Sequence, residues 1–247
     1  MRTLGIDVSS WQDNNNTPKK IDWHLAKANG AIFTFIRSSN GFLPDEDFEY
    51  NWNAAREAGL LRGAYHFHDY RVSPSGQAKF FAERLKADPG ELPPVLDVEK
   101  YWQPYPKREG WLTAVQTMIA TLKSEGHPRV IFYANPDVIL YSLSPLPEAI
   151  TSLPLWIAHY EVDQPSQKAV APWGKWTFWQ YTPKGDGLAF GMESKGLDLN
   201  WFNGSEAELR AFAGTTTPPT PPPSPVVLTP EEKLERLWQA HPDLWTK

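Results

Sequence analysis

Ala31-Ile32-Phe33-Thr34-Phe35-Ile36 is apolar on both of its alternating faces, apart from a single threonine. Strand side chains point alternately to opposite sides, so a strand apolar on both sides must be covered on both. Such strands belong to sheets packed on two faces, as in α/β folds. The strand so predicted covers 32–37. Seven other short runs of β-branched and aromatic residues bounded by turn formers read as strands: 4–8, 62–67, 94–98, 130–133, 155–159, 176–181 and 196–199.

Helical patterns lie between them. Residues 47–58 carry Phe48, Trp52, Ala55 and Ala58 near helical spacing and stop at Gly59. Residues 77–85 and 111–123 are similar. Ser205-Glu206-Ala207-Glu208 caps a last helix reaching Phe212, with Gly214 beyond it. Strand–helix alternation with eight strands predicts a parallel α/β barrel. Some connections are too irregular for eight full helices. The expected fold is therefore an irregular eight-stranded β/α barrel over residues 1–214, with fewer than eight regular helices.

Thr215-Thr216-Thr217-Pro218-Pro219-Thr220-Pro221-Pro222-Pro223-Ser224-Pro225 is a stiff polyproline-type run that cannot pack a core, and the linker is expected over 215–227. A short helical tail over 228–247 follows, with Thr229 as cap, Pro230 in the first turn and an apolar stripe of Leu234, Leu237 and Trp238. It is too short to be a domain.

A net charge of −5 argues against a broad basic surface for nucleic acid or anionic lipid. No apolar run approaches the ~20 residues of a membrane span. The absence of cysteine removes disulfides, thiolate metal sites and cysteine nucleophiles. Twelve Trp suit either core filling or the stacking of sugar rings on indole.

Pro94-Val95-Leu96-Asp97-Val98-Glu99 carries the chemistry. Residues two apart on a strand face the same way, ~6.5–7 Å apart at Cα. Asp97 and Glu99 therefore sit together at a strand's C-terminal end, where barrel active sites are built. Glycoside hydrolysis needs such a pair, one to protonate the leaving oxygen and one to stabilise or capture the sugar cation. A bare Asp-x-Glu is more often a solvated pair. Two more acids add weight: Asp7 ends the first strand in Gly5-Ile6-Asp7-Val8-Ser9-Ser10-Trp11-Gln12, and Asp198 ends the last in Gly196-Leu197-Asp198-Leu199-Asn200. First and eighth strands are neighbours in a closed barrel, which puts both aspartates on the same mouth. Tyr65, His66, Phe67, Tyr133, Trp156, Tyr160, Trp179, Gln180 and Tyr181 lie at other strand ends as candidate substrate-binding residues. His66 and His68 lack a convincing third zinc ligand, and neither a phosphate loop nor a Gly-x-Ser-x-Gly elbow occurs. No metal or organic cofactor is implied.

These segments, with Ile21-Asp22-Trp23, Leu155-Trp156-Ile157-Ala158-His159-Tyr160 and Trp179-Gln180-Tyr181, occur in an order that resembles glycoside hydrolase family 25, the Chalaropsis-type muramidases. The resemblance runs from about residue 3 to 213. It implies cleavage of the β-1,4 bond between N-acetylmuramic acid and N-acetylglucosamine in peptidoglycan, with retention at the anomeric carbon. Glu99 is then the general acid and Asp97 its partner, stabilising the ring formed by the substrate's own N-acetyl group. Asp7 and Asp198 match the family's other active-site acids. Arg37-Ser38-Ser39 departs from the family, many members of which have a lysine-containing turn there, and the tail leads to no known wall-binding repeat. The expected partner is the peptidoglycan glycan strand, with no nucleic acid or membrane, and the expected state is a monomer. Met1-Arg2-Thr3-Leu4 enters strand-like sequence with no signal peptide, so the expectation is action on the wall outside the cell, by secretion or phage delivery, with either a signal already removed or export that depends on something else. The rivals are a chitinase-like or endo-N-acetylglucosaminidase barrel and a non-catalytic wall-binding module.

A chain stopped at Gly214 should keep its thermal midpoint within a few degrees of full length and cleave short soluble glycans at nearly the same rate. A larger fall in the midpoint would make the tail a structural part of the barrel.

Overall fold

The computed structural model describes residues 1–13, 17 and 19–215. The expected tail and all of the linker beyond Thr215 lie outside the described residues. The first half of the chain forms β1 (Thr3–Val8), α1 (Trp23–Ala28), β2 (Phe33–Asn40), β3 (Leu43–Pro44), α2 (Phe48–Glu57), β4 (Leu61–Phe67) and α3 (Pro74–Leu85). Next come β5 (Val95–Asp97), α4 (Arg108–Ser124), β6 (Ile131–Ala134), α5 (Glu148–Thr151) and β7 (Leu155–Ala158). The last elements are α6 (Gln167–Val170), β8 (Phe178–Asp186), β9 (Gly196–Phe202) and α7 (Glu206–Ala213).

The sheet closes on itself. Its order is β1-β9-β8-β7-β6-β5-β4-β2, and β1 pairs with β2 to complete the ring. The two-residue β3 only forms a hairpin on the end of β2. The expected barrel is therefore found, with two short helices, α5 and α6, where regular crossovers would stand.

One expectation is corrected. The barrel is not wholly parallel, because β9 runs antiparallel to both β8 and β1. The stretch 187–195 between β8 and β9 is shorter than the dozen or so residues that a parallel crossover needs. Asp198 consequently sits near the start of its strand. It still reaches the mouth where the parallel strands end, because its strand runs the other way.

Alternation along each strand divides the apolar residues into two layers. Phe33, Phe35, Val95, Ile131, Trp156 and Phe178 fill the barrel, whereas Ile36, Leu96, Phe132 and Ile157 pack outward among residues of the helices. Helix α7 closes the bottom. Its Leu209 is fully buried, and Phe212 meets the rings of Phe178 and Phe202 at 5.6 and 6.0 Å. The helix begins where expected, at a capping box in which Ser205 Oγ accepts from Glu208 N at 3.3 Å and Ser205 N donates to Glu208 Oε2 at 2.7 Å.

Ring packing inside the barrel depends on Gly63. A Cβ there would lie 2.6 Å from the ring of Phe35 and 3.2 Å from Leu92. Phe35 cannot retreat, since it stacks on Trp156 at 4.3 Å and meets Phe178 edge-on at 5.0 Å. Gly63→Ala should cost about 1–3 kcal/mol by overpacking, seen as a lower urea midpoint at unchanged slope. Gly110→Ala, with nothing within 4 Å of the new Cβ, should leave the midpoint where it is or raise it. Equal midpoints for the two variants would refute the packing account.

Candidate active site

Four acids meet at the mouth. Asp97 ends β5 with its side chain on the inner face, opposite to Leu96, and Glu99 follows two residues later on the same side. The backbone that aims them is pinned on both flanks: His68 N donates to Asp97 O at 2.9 Å, and Val98 N donates to Tyr133 O at 3.0 Å. Asp7 and Asp198 are direct partners in the antiparallel register of β1 and β9. All four line one cavity of about 460 Å³.

A network of polar side chains positions Asp7. Its Oδ2 accepts from Gln180 Nε2 at 2.9 Å and from Asn200 Nδ2 at 2.7 Å. Each amide is itself oriented. Trp156 Nε1 donates to Asn200 Oδ1 at 2.8 Å, and the hydroxyls of Tyr133 and Tyr160 donate to Gln180 Oε1 at 2.8 and 2.6 Å. Tyr133 also contacts Glu99.

Burial is the largest cause acting on every acid of the cluster. It holds Glu99 above the usual carboxylate range, with the Tyr133 contact pulling the other way. Asp198 is pushed up to about 6 by burial and by the charge of Glu99. Asp7 rises well above its ordinary value through burial and Asp198, against the amides of Asn200 and Gln180. Asp97 likewise rises well above its ordinary value, through burial, Glu99 and Asp7, with the Arg37 guanidinium opposing as the smallest of the causes. Four carboxyls in one desolvated space cannot all ionise, so the cavity retains protons.

Among the sequence-derived binding candidates, Tyr65, Phe67, Tyr133, Trp156, Tyr160 and Gln180 line the cavity with the acids. His66, Trp179 and Tyr181 do not. His66 is fully buried on the outer face, with Nδ1 2.9 Å from Ser39 Oγ, Nε2 2.9 Å from Gln77 Oε1 and its ring stacked on Phe81. Burial lowers its pKa to about 4 and that of His68, also facing outward, to about 3. Trp179 faces the outer layer and donates to His159 O at 2.8 Å, and Tyr181 stacks on Trp201 at 5.1 Å. Each of these three neighbours an inward residue, so the alternation that brings Tyr65, Phe67 and Gln180 in sends them out.

The cavity also has walls that the sequence reading passed over: Ser9, Trp11, Gln12, Arg37, Asn40 and Tyr101. Trp11 and Tyr101 stand 75% and 64% exposed, as rings at the rim of a sugar groove would. A signal for Tyr101 was available, because it extends the two-residue spacing of Asp97 and Glu99.

The sequence model of glycosyl hydrolases family 25 matches residues 6–187. This chain belongs to glycosyl hydrolase family 25. It is 33% identical over 225 residues to lysozyme M1 of Streptomyces globisporus, covering 86% of this chain and 71% of that one. The uncharacterised protein YegX of Escherichia coli K12 is 36% identical over 221 residues, covering 84% and 72%. The solved bacterial lysozyme of Streptomyces coelicolor superimposes with a TM-score of 0.73 at 30% identity, over 87% of this chain and 98% of that one. As a family 25 member the chain is a glycoside hydrolase, and its acid-lined cavity is the candidate active site.

Carboxyl-carbon NMR tests the electrostatics directly. In the free protein Asp198 should titrate near 6. In Glu99→Gln, where the neighbouring charge is gone, the midpoint should move down. An unmoved midpoint would show that Glu99 does not act on Asp198.

Proposed function

We propose that the chain is an N-acetylmuramidase that cuts the β-1,4 bond between N-acetylmuramic acid and N-acetylglucosamine with Glu99 as general acid and Asp97 as the stabilising carboxylate. Peptidoglycan hydrolysis of the muramidase kind follows from the family and its lysozyme members. The observation supporting the division of roles is that Asp97 Oδ1 is buried in the cavity with no partner among the described residues, ready to accept from the substrate. Glu99, two residues farther toward the mouth, is held above the usual carboxylate range by burial, as a proton donor needs.

The steps follow from this division. Glu99 gives its proton to the glycosidic oxygen as the C1–O bond breaks, and the N-acetyl carbonyl oxygen of the same sugar bonds to C1. Asp97 Oδ1 is buried without a partner among the described residues. It accepts the N–H of the cyclised acetamide and balances its positive charge. Water then attacks C1 from the opposite face, gives a proton to the Glu99 carboxylate and opens the ring with overall retention. Burial is what lets Glu99 hold its proton, and Asp7, fixed by two amides, and Asp198 complete the proton-retaining cluster around it. The enzyme works on the wall outside the cell, secreted or phage-delivered, as a monomer.

Mass spectrometry of digested peptidoglycan should find reducing N-acetylmuramic acid at the new ends. Reducing N-acetylglucosamine would make the enzyme a glucosaminidase instead. Glu99→Gln should lower turnover by at least about 10²-fold, the usual worth of a general acid, without change in thermal midpoint, and Asp97→Asn nearly as much. Wild-type turnover in Glu99→Gln would end the assignment.

A further inference from the structure

Two cavities meet at β2. The acid-lined cleft and a smaller cavity of about 250 Å³ share Arg37 and Asn40 as walls. The smaller one is otherwise bounded by Ser10, Leu43, Pro44, Asp45 and Glu46, which belong to the turn after β1 and to the β2–β3 hairpin and its exit. A glycan chain is linear and needs a single groove, so a side chamber opening from that groove is room for a branch.

The substrate has one. Muramic acid differs from N-acetylglucosamine by a lactyl ether at C3, whose acyl carbon carries the stem peptide. Resting on the muramidase reading above, the geometry points to the side cavity as the seat of the stem peptide, with Arg37 and Asn40 holding the lactyl acyl oxygen.

Three observations carry this. First, Arg37 is fixed and yet incompletely used. Its Nε donates to Asp45 Oδ2 at 2.7 Å and its Nη2 to Ser10 Oγ at 2.9 Å, while Nη1 has no partner among the described residues. Asp45 is itself held, accepting from Ser10 N and Asp47 N at 3.1 Å each. The guanidinium therefore cannot swing down onto the acids. Second, the Asn40 carboxamide makes no hydrogen bond within the described residues, so two donor groups stand unpaired on one shared wall. Donors so placed call for an acceptor, and a carbonyl oxygen can take both.

Third, the backbone is irregular at this point. In the pairing of β2 with β4, Arg37 lies opposite Tyr65 but Ser39 lies opposite His66, which leaves Ser38 as an extra residue. Without the bulge, Ser39 would share the inner face with Arg37. With it, Ser38 and Ser39 both turn outward, to Arg84 and His66, and Asn40 comes in beside Phe67. The bulge is what puts the second donor next to the first. A site that hydrogen-bonds a substrate group disfavours the analogue lacking it, so these residues favour muramoyl over chitin-like strands.

The test uses the full-length protein and two soluble glycan tetrasaccharides, one with its stems and one with the stems removed by an amidase. Wild type should show a kcat/KM about tenfold higher on the stem-bearing glycan, a factor corresponding to one modest contact. In Leu43→Trp, which fills the side cavity from an exposed position, the ratio should fall to about one, mainly through KM, whereas Asn40→Ala, which removes a contact to the lactyl acyl oxygen that both glycans keep, should lower kcat/KM on both. A wild-type ratio near one, or a ratio preserved in Leu43→Trp, would overturn the stem seat while leaving the muramidase reading intact, and unchanged kcat/KM in Asn40→Ala would overturn the lactyl contact. Reducing N-acetylglucosamine in the products would overturn both.

Discussion

Asp7 and Asp198 face each other across an antiparallel strand pair, a position in which like charges repel. Burial makes the repulsion worse, since little water remains to screen it. Much of the mouth can be understood as the accommodation of this pair. Gln180 and Asn200 turn two amide N–H groups onto a single oxygen of Asp7, favouring its anion. Burial and Asp198 nonetheless hold Asp7 well above its ordinary value, and Asp198 itself rises to about 6. Protons that the four acids cannot all release stay in the cavity, and that reserve is what a general acid needs near neutral pH.

The network holds because its lowest member cannot move. Trp156 stacks on Phe35 at 4.3 Å, lies against Tyr133 at 4.4 Å and spends its N–H on Asn200. It is at once the top of the aromatic core and the floor of the cleft. Packing in the barrel is thus transmitted to the acids: Gly63 admits Phe35, Phe35 supports Trp156, and Trp156 orients the amide that orients Asp7. Catalytic constellations need such supporting shells, because a side chain free to rotate loses the geometry.

The barrel and the convergence of its acids were legible in the sequence because both rest on period-two alternation and on strand ends. The same alternation misled where both faces of a strand are aromatic. On β4, Tyr65 and Phe67 go inward while His66 goes out to Ser39 and Gln77; on β8, Gln180 goes inward between Trp179 and Tyr181. Hydrophobicity cannot decide which face is which when each carries rings. The reversed direction of β9 was hidden because β8 continues to Asp186, past the 176–181 that the pattern suggested, and so shortens the connection. Asp198 was placed at the right mouth on the assumption of a parallel strand. A bulge leaves no mark in composition, and so the approach of Asn40 to Arg37 could be seen only in three dimensions.

Arg37 joins specificity to chemistry. It is a wall of both cavities, and its charge opposes the rise of Asp97 as the smallest of the causes acting there. The lactyl acyl group of an intact muramoyl residue is an amide, whose carbonyl oxygen accepts a hydrogen bond without cancelling the guanidinium charge. Removing the stem leaves a free carboxylate in that place. A carboxylate would pair with Arg37 and offset the charge that opposes the rise of Asp97. The stem-bearing substrate thereby keeps the contacts of the side cavity and leaves that opposing charge in place when the cyclised acetamide forms. Because the hairpin carries the first effect and Arg37 carries both, changes in β3 can alter substrate preference while leaving the four acids as they are.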